Sequence, residues 1–322
     1  MGDNTITIGL TGDVMLGRGV SETISNKGYA YPWGTVLPEF KNTDINIINL
    51  EAALTNSINK VFKTFNFKAT PDRIKTLTQA STTVANLANN HVLDFSEEGL
   101  IETIETLNEA GIKHIGAGMN EAEAEKPVIL TIKNTTLGIL GFTDNERRWR
   151  AGTSSSGINY IDISNTDDCN KALAAIGKLR KETDLMIVSI HWGPNMKESP
   201  ECYFVDFAHA MIDQGADIIH GHSAHNFQGI QVYNDKLILY DTGDFIDDYT
   251  VDPYLRNDHS FFFKVEVSKQ RIETVVLIPV LISKCQVNLA TGEDSKWCIQ
   301  RMQELSAKFG TSINDEGEVV LF

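Results

Sequence analysis

Apolar positions along the chain fall into short continuous runs separated by longer stretches of helical spacing. "TITIGL", "INIINL", "TVANLA", "LGILGF", "LMIVSI", "ADIIHG" and "LILYDT" predict strands, several of them without the alternation of a half-exposed strand and so buried on both faces. Between them, "SEEGLIETIETLNEAG" carries apolar residues at helical intervals, which predicts a helix with Ser96 as N-cap and Gly111 as C-cap. "NTDDCNKALAAIGKLRKE" and "PECYFVDFAHAMIDQG" repeat the helical pattern. Such alternation implies βαβ units around parallel strands. From about Phe227 the pattern changes to hairpins, one around Asn234-Asp235 and one around Lys269-Gln270, followed by a late helix, "DSKWCIQRMQELSAKFG", and a final strand, "EVVLF". A single domain over residues 1–322 with a mixed sheet is expected, its C-terminal helix and strand (about 293–322) packed onto the rest.

Composition narrows the class. Hydrophobic residues make up 42% of the 322, enough for a sizeable core. A formal net charge of −15, from 28 basic and 43 acidic residues, repels nucleic acid and anionic lipid at long range, and no nucleic-acid partner is expected. Cys169, Cys202, Cys285 and Cys298 are far apart and form no CxxC pair, so they read as free or buried thiols of a reducing compartment. The start "MGDNTITIGL" lacks a basic region followed by an apolar one, and no run approaches the roughly 20 apolar residues of a membrane span. A cytoplasmic location without stable membrane insertion is the resulting expectation.

Polar chemistry concentrates where the predicted strands end, which is where open α/β sheets gather ligands. "TGDVMLGR" brings Asp13 and Arg18; "NLEAALT" brings Asn49 and Glu51; "NNHVLD" brings Asn89, Asn90, His91 and Asp94. "HWGPN" adds His191, "HGHSAH" places three of the eight histidines in six positions, and "DTGDF" adds Asp241 and Asp244. A strand-end Asp alone is an ordinary turn residue, and a lone His an ordinary polar one. Their joint appearance at successive strand ends is different. Carboxylate, amide and imidazole without thiolate suit one or two divalent ions such as Mn, Fe or Zn.

The stretches "GDVMLGR", "NLEAALT", "NFKATP", "NLANNHVLDFSEEGL", "HWG", "GHSAH" and "YDTGDF" together resemble the CapA (poly-γ-glutamate capsule biosynthesis) family of the calcineurin-like metallophosphoesterase superfamily. The resemblance implies an α/β fold, a four-layer αββα metallophosphatase-like sandwich with two mixed β-sheets. It also implies metal ligands at Asp13, Glu51, Asn90, His191, His222 and His225, with Glu51 in the place of a bridging aspartate. His91 matches a catalytic, proton-donating histidine, with Asp94 near the place of its acidic partner. His220 is left a structural role. The sequence departs from the superfamily pattern in carrying Met15 where a histidine belongs and one extra residue between His222 and His225. Both departures weaken the expected metal site nearest Asp13.

Three functions remain open at this stage: a metal-dependent hydrolase of a phosphoester or a γ-glutamyl or peptide bond, a peptide epimerase, and a non-catalytic polymer-assembly factor. A small anionic, peptide or poly-γ-glutamate substrate would need local attraction, because the protein as a whole is acidic. Arg18 and Lys68 are the first candidates for it, followed by Arg147, Arg148 and Arg150 of "ERRWR". Trp149 and Trp192 are read as core residues or pocket walls, and His114, His209 and His259 as structural or surface residues.

Overall fold

The computed structural model describes residues 5–269 and 271–321. Two large mixed sheets carry it. The first contains β1 (Ile6–Val14), β2 (Ile45–Leu50), β3 (Val84–Asn86) and β4 (Lys113–Ile115), all parallel. The second begins with β5 (Val128–Ile132) antiparallel to β6 (Thr135–Thr143), then runs parallel through β7 (Leu185–His191), β8 (Ile218–His222) and, after β9 (Ile230–Tyr233), β10 (Lys236–Leu239). The chain then returns to the first sheet. There β11 (Asp244–Ile246) pairs with β1, and β12 (His259–Ser268), β13 (Arg271–Ser283) and β14 (Gln286–Leu289) extend it antiparallel.

Residue parity shows how the sheets face each other. In β2, Ile45 and Ile47 join one apolar cluster while Ile48 and Leu50 join another. In β7, Leu185 and Ile187 enter the cluster of Ile45 and Ile47, whereas Met186, Val188 and Ile190 enter a third. The shared cluster is therefore the core between two facing sheets, and each outer cluster covers a sheet's other side, as expected of a sandwich. Helices α1 (Arg18–Lys27) and α2 (Ser96–Glu109) cover the first sheet; α3 (Thr166–Leu179) and α4 (Cys202–Asp213) cover the second. Each fully buried Leu, Ile or Phe in these layers contributes roughly 1.5–3 kcal/mol.

The two hairpins differ in what can be said of them. Asn234 and Asp235 turn β9 into β10 with φ of 50° and 60°, the doubly left-handed turn that Asn-Asp favours. At the other, β12 and β13 pair from Ser268↔Arg271, and Gln270 lies outside the described residues. The late helix α5 (Gly292–Ala307) inserts Cys298, Ile299, Met302 and Leu305 into the inter-sheet core. The closing "EVVLF" does not make the predicted strand over Glu318–Leu321: it forms only single bridges, Val276↔Glu318 and Ile313↔Val319. Phe322 is outside the described residues.

Ser96 does not cap α2. Its φ is 63° and its Oγ donates to Asn59 O at 2.7 Å, so it ties a neighbouring loop instead. Gly111, at φ 74°, does end the helix in the left-handed conformation that glycine accepts most readily. The four cysteines are free thiols, with Cys298 buried. Among the described residues no helix is long and apolar enough to cross a membrane.

Candidate metal centre

The inner faces of both sheets turn polar together at their carboxyl ends. Along β2, Ile45 and Ile47 are followed on the same face by Asn49; along β3, Val84 is followed by Asn86. Along β7 and β8 the same parity runs from Leu185 and Ile187 to Ser189 and His191, and from Ile218 to His220 and His222. All six polar residues are buried, so the apolar inter-sheet core ends in a polar floor.

Asp13 sits at the centre, where β1 shifts register against β2 and β11. Such a bulge re-aims a side chain. The backbone approach there requires glycine: a Cβ on Gly12 would lie 1.8 Å from Gly243 O. Asp13 Oδ1 accepts from Asn49 Nδ2 at 2.8 Å and faces His191 Nδ1 at 3.9 Å and His222 Nδ1 at 4.0 Å. Its Oδ2 faces His225 Nδ1 at 3.5 Å, and that ring donates to Asp244 Oδ1 at 2.8 Å. Two sets of donors result, Asp13–His191–His222 and Asp13–Glu51–His225–Asp244, with ligand atoms within 4.8 Å of one another in each.

Asp13, rather than Glu51, is thus the carboxylate common to both sets. Asp244 fills out the second set; its place at a strand end is legible in the sequence, but its part in the donor set is not. Met15, at the position of the missing histidine, is buried in an apolar cluster and its Sδ accepts from Gly17 N at 3.0 Å. The extra residue in "HSAH" is taken up by left-handed backbone at Ser223 (φ 123°) and His225 (φ 62°), conformations unfavourable for residues with a Cβ. Asp241 holds that turn, accepting from Ala224 N at 2.7 Å and Gly243 N at 2.8 Å.

Electrostatics follow from burial. Desolvation first, then the neighbouring Glu51 carboxylate, pushes Asp13 well above the usual carboxylate range. Burial holds His191 and His222 well below the usual imidazole value. Burial also opposes charge on His225, but Asp244 and Glu51 outweigh it and raise that ring well above its ordinary value. Asp241 is pushed up to about 7 by burial. The donors fit a divalent cation on a second ground. Asp13 Oδ2, Glu51 Oε1, Asn90 Oδ1 and Asp244 Oδ2 are buried without a hydrogen-bond partner, and each such oxygen costs about 1–3 kcal/mol when nothing binds it.

Beside this cluster stands a histidine–carboxylate pair. His91 Nδ1 donates to Asp94 Oδ2 at 2.6 Å, and its Nε2 lies 3.9 Å from Glu51 Oε1. Phe67 stacks on the ring at 4.0 Å between centroids, 23° from parallel. Asp94 is held by Phe67 N at 2.6 Å and Lys63 Nζ at 3.1 Å. Asn89 shapes the turn: its Nδ2 donates to Asn49 Oδ1 and Leu50 O, while its Oδ1 accepts from His91 N and Val92 N. Asn90 precedes His91, with its backbone carbonyl accepting from Lys63. Tyr249, which donates to Glu51 Oε2 at 3.1 Å, and Lys63 went unnoticed in the sequence. Each lies in a loop without strand-end periodicity.

His220 answers for the third imidazole of "HGHSAH". Its Nε2 donates to Thr11 O at 2.8 Å, joining β8 to β1 across the two sheets, and burial pulls its pKa down to about 4. Of the basic candidates, Arg18 is nearest the pair. It lies over the rings of Phe67 and Tyr249 at 5.3 and 5.8 Å, and is paired with Asp248 at 3.1 Å. Lys68 donates to Ser57 O and lies over Phe95, engaged outside the donor cluster. Arg147 is 3.9 Å from Asp162, Arg148 is exposed, and Arg150 pairs with Asp168. Trp192 is buried, its Nε1 donating to Tyr240 O at 2.8 Å, while Trp149 is half-buried under Lys63. His114 is half-buried, His209 stacks on Tyr233, and His259 lies between Asp258 and Asp294.

Fold and site together define an α/β sandwich with a buried carboxylate–imidazole centre at the strand ends. Residues 7–249 match the family described as bacterial capsule synthesis protein PGA_cap, and the chain belongs to that family. It is 28% identical to a probable polyglutamine synthesis accessory protein of Mycobacterium tuberculosis, across 96% of this chain and 93% of that one. It is 32% identical to the capsule biosynthesis protein CapA of Bacillus anthracis, over 76% of this chain and 60% of that one. With the PGA biosynthesis protein CapA of Bacillus subtilis the identity is 30%, over 76% and 64%.

Proposed function

We propose that this protein is a CapA-like, metal-dependent hydrolase of capsule or poly-glutamate biosynthesis, acting on a phosphoester or on a γ-glutamyl or peptide bond. The observation that carries this reading is the sharing of Asp13. Its two oxygens face two separate donor sets, and Asp13, Glu51, Asn90 and Asp244 each carry a buried oxygen without a hydrogen-bond partner. Asp13, Glu51, Asn90, His191, His222, His225 and Asp244 would hold one or two ions such as Mn, Fe or Zn. A bound divalent ion supplies Lewis-acid polarisation of the scissile group and lowers the pKa of water.

The residues of the chain do the rest. Asp94 accepts the Nδ1 proton of His91 and thereby fixes the tautomer, leaving Nε2 turned towards Glu51 as the atom that exchanges a proton with the leaving group. Phe67 covers one ring face and keeps water from it. Asn49 orients Asp13 through Oδ1, so that Oδ2 stays directed at His225. The relatives' names support the capsule context, and the donor chemistry supports hydrolysis.

The test is metal analysis of the purified protein, with turnover of bis(p-nitrophenyl) phosphate and of γ-glutamyl p-nitroanilide before and after chelation. Retained metal and turnover restored by Mn, Fe or Zn are expected. Turnover indifferent to chelation overturns the metal reading. Deuterium entering a peptide α-position in D2O without cleavage overturns hydrolysis in favour of epimerisation.

A further inference from the structure

One loop beside the candidate centre holds three large apolar side chains out in solvent. Ile58 is 85% exposed, Phe62 111% and Phe65 60%, all within eight residues. The loop belongs to a stretch, residues 52–71, with three lysines and no Asp or Glu, in a chain of net charge −15. It is fastened to the histidine–carboxylate pair. Lys63 reaches Asn90 O and Asp94 Oδ1, Val61 N donates to Asp94 O at 2.9 Å, and Phe65 stacks on Phe67 at 6.4 Å. Lys63 also lies 4.9 Å over Trp149, which brings the neighbouring Arg148 to the same rim. Among the described residues Lys60 and Arg148 have no ion-pair partner, so their charges are available to a ligand.

A purely hydrophilic polyanion would use the cations and leave the phenylalanines in water. Exposed aromatic residues beside free cations fit a ligand that has both characters. Resting on the hydrolase reading above, we propose that the site takes an amphiphilic anion: anionic groups go to the centre, Lys60 and Arg148, and an attached apolar segment packs on Ile58 and Phe62.

The experiment titrates metal-loaded protein with a γ-glutamyl pentamer and with the same pentamer carrying an N-octanoyl chain, below its critical micelle concentration. The acylated probe is expected to bind about tenfold more tightly, the scale of burying one large apolar side chain. That ratio should collapse towards one in Ile58→Ser and Phe62→Ser, both fully folded by circular dichroism because these side chains touch solvent. It should persist in Ile129→Ser, an exposed residue on the edge strand β5. Lys60→Gln and Arg148→Gln should weaken both probes. Equal binding of the two probes, binding of neither, or a ratio that survives Phe62→Ser overturns the proposal. An acyl preference that remains after chelation keeps this inference and counts against the metal reading alone.

Discussion

Replacing His91 with alanine separates proton transfer from metal binding, because the ring touches the cluster only through a 3.9 Å approach of Nε2 to Glu51. General acid–base catalysis is worth about 10²–10⁴ in rate, or about 2.7–5.5 kcal/mol at 1.36 kcal/mol per decade. Turnover on the phosphodiester should fall by that factor in His91→Ala, with metal content by plasma mass spectrometry unchanged. Asp94→Asn should cost less. It weakens one charge-assisted hydrogen bond at 2.6 Å, worth about 1.5–3 kcal/mol, or about 10- to 150-fold in kcat. The amide oxygen can still accept from Phe67 N and His91 Nδ1, while the NH2 group cannot accept from Lys63, which keeps its bond to Asn90 O. Since the two residues act as a unit, the double variant should be no slower than His91→Ala alone. Parallel loss of metal and activity in His91→Ala would refute the assignment and make His91 a ligand. Full additivity would refute the unit.

Asp13→Asn should disturb both donor sets and Asp244→Asn only the one containing His225; metal stoichiometry by isothermal titration checks this, and identical losses would count against a shared Asp13. His220→Ala removes the bond to Thr11 O between the sheets and should cost about 1–3 kcal/mol of stability by urea unfolding, with metal content retained. Burial raises Asp144 to about 7, so its folded state keeps a proton that the unfolded state releases. Stability from this group is intact below pH about 4, declines as pH rises towards about 7, and is lost above it, by at most about 4 kcal/mol at 1.36 kcal/mol per unit. Asp144→Asn should flatten that part of the unfolding profile between pH 4 and 8; an unchanged slope would show that Asp144 ionises normally.

Much of the architecture was legible in the order of residues, for a local reason. Runs such as "INIINL" and "LMIVSI" are apolar at both parities, so they had to be strands covered on both sides, whatever covers them. The polar residues closing those runs could be located because a parallel strand's end is a fixed place in a βαβ unit. The Asn-Asp turn between β9 and β10 was legible for a similar reason, since its left-handed φ values are a property of two residues. What lay beyond local pattern was partnership. The helix start at Ser96 looked like a cap, yet Asn59, 37 positions away, takes its hydroxyl. "EVVLF" has a strand's composition, but among the described residues, 318–321 form only single bridges. Asp13 became the common carboxylate because, at a bulge in β1 beside Gly243, one oxygen faces the strand ends at His191 and His222 and the other faces His225. Asp244 reached the same centre only because β11 crosses back from the second sheet to pair with β1. Sequence sets what each segment can form, since dihedral preference and burial pattern are local. Which carboxylate meets which imidazole is decided by contacts between residues hundreds of positions apart, such as Tyr249 on Glu51, and only the assembled sheets bring those together.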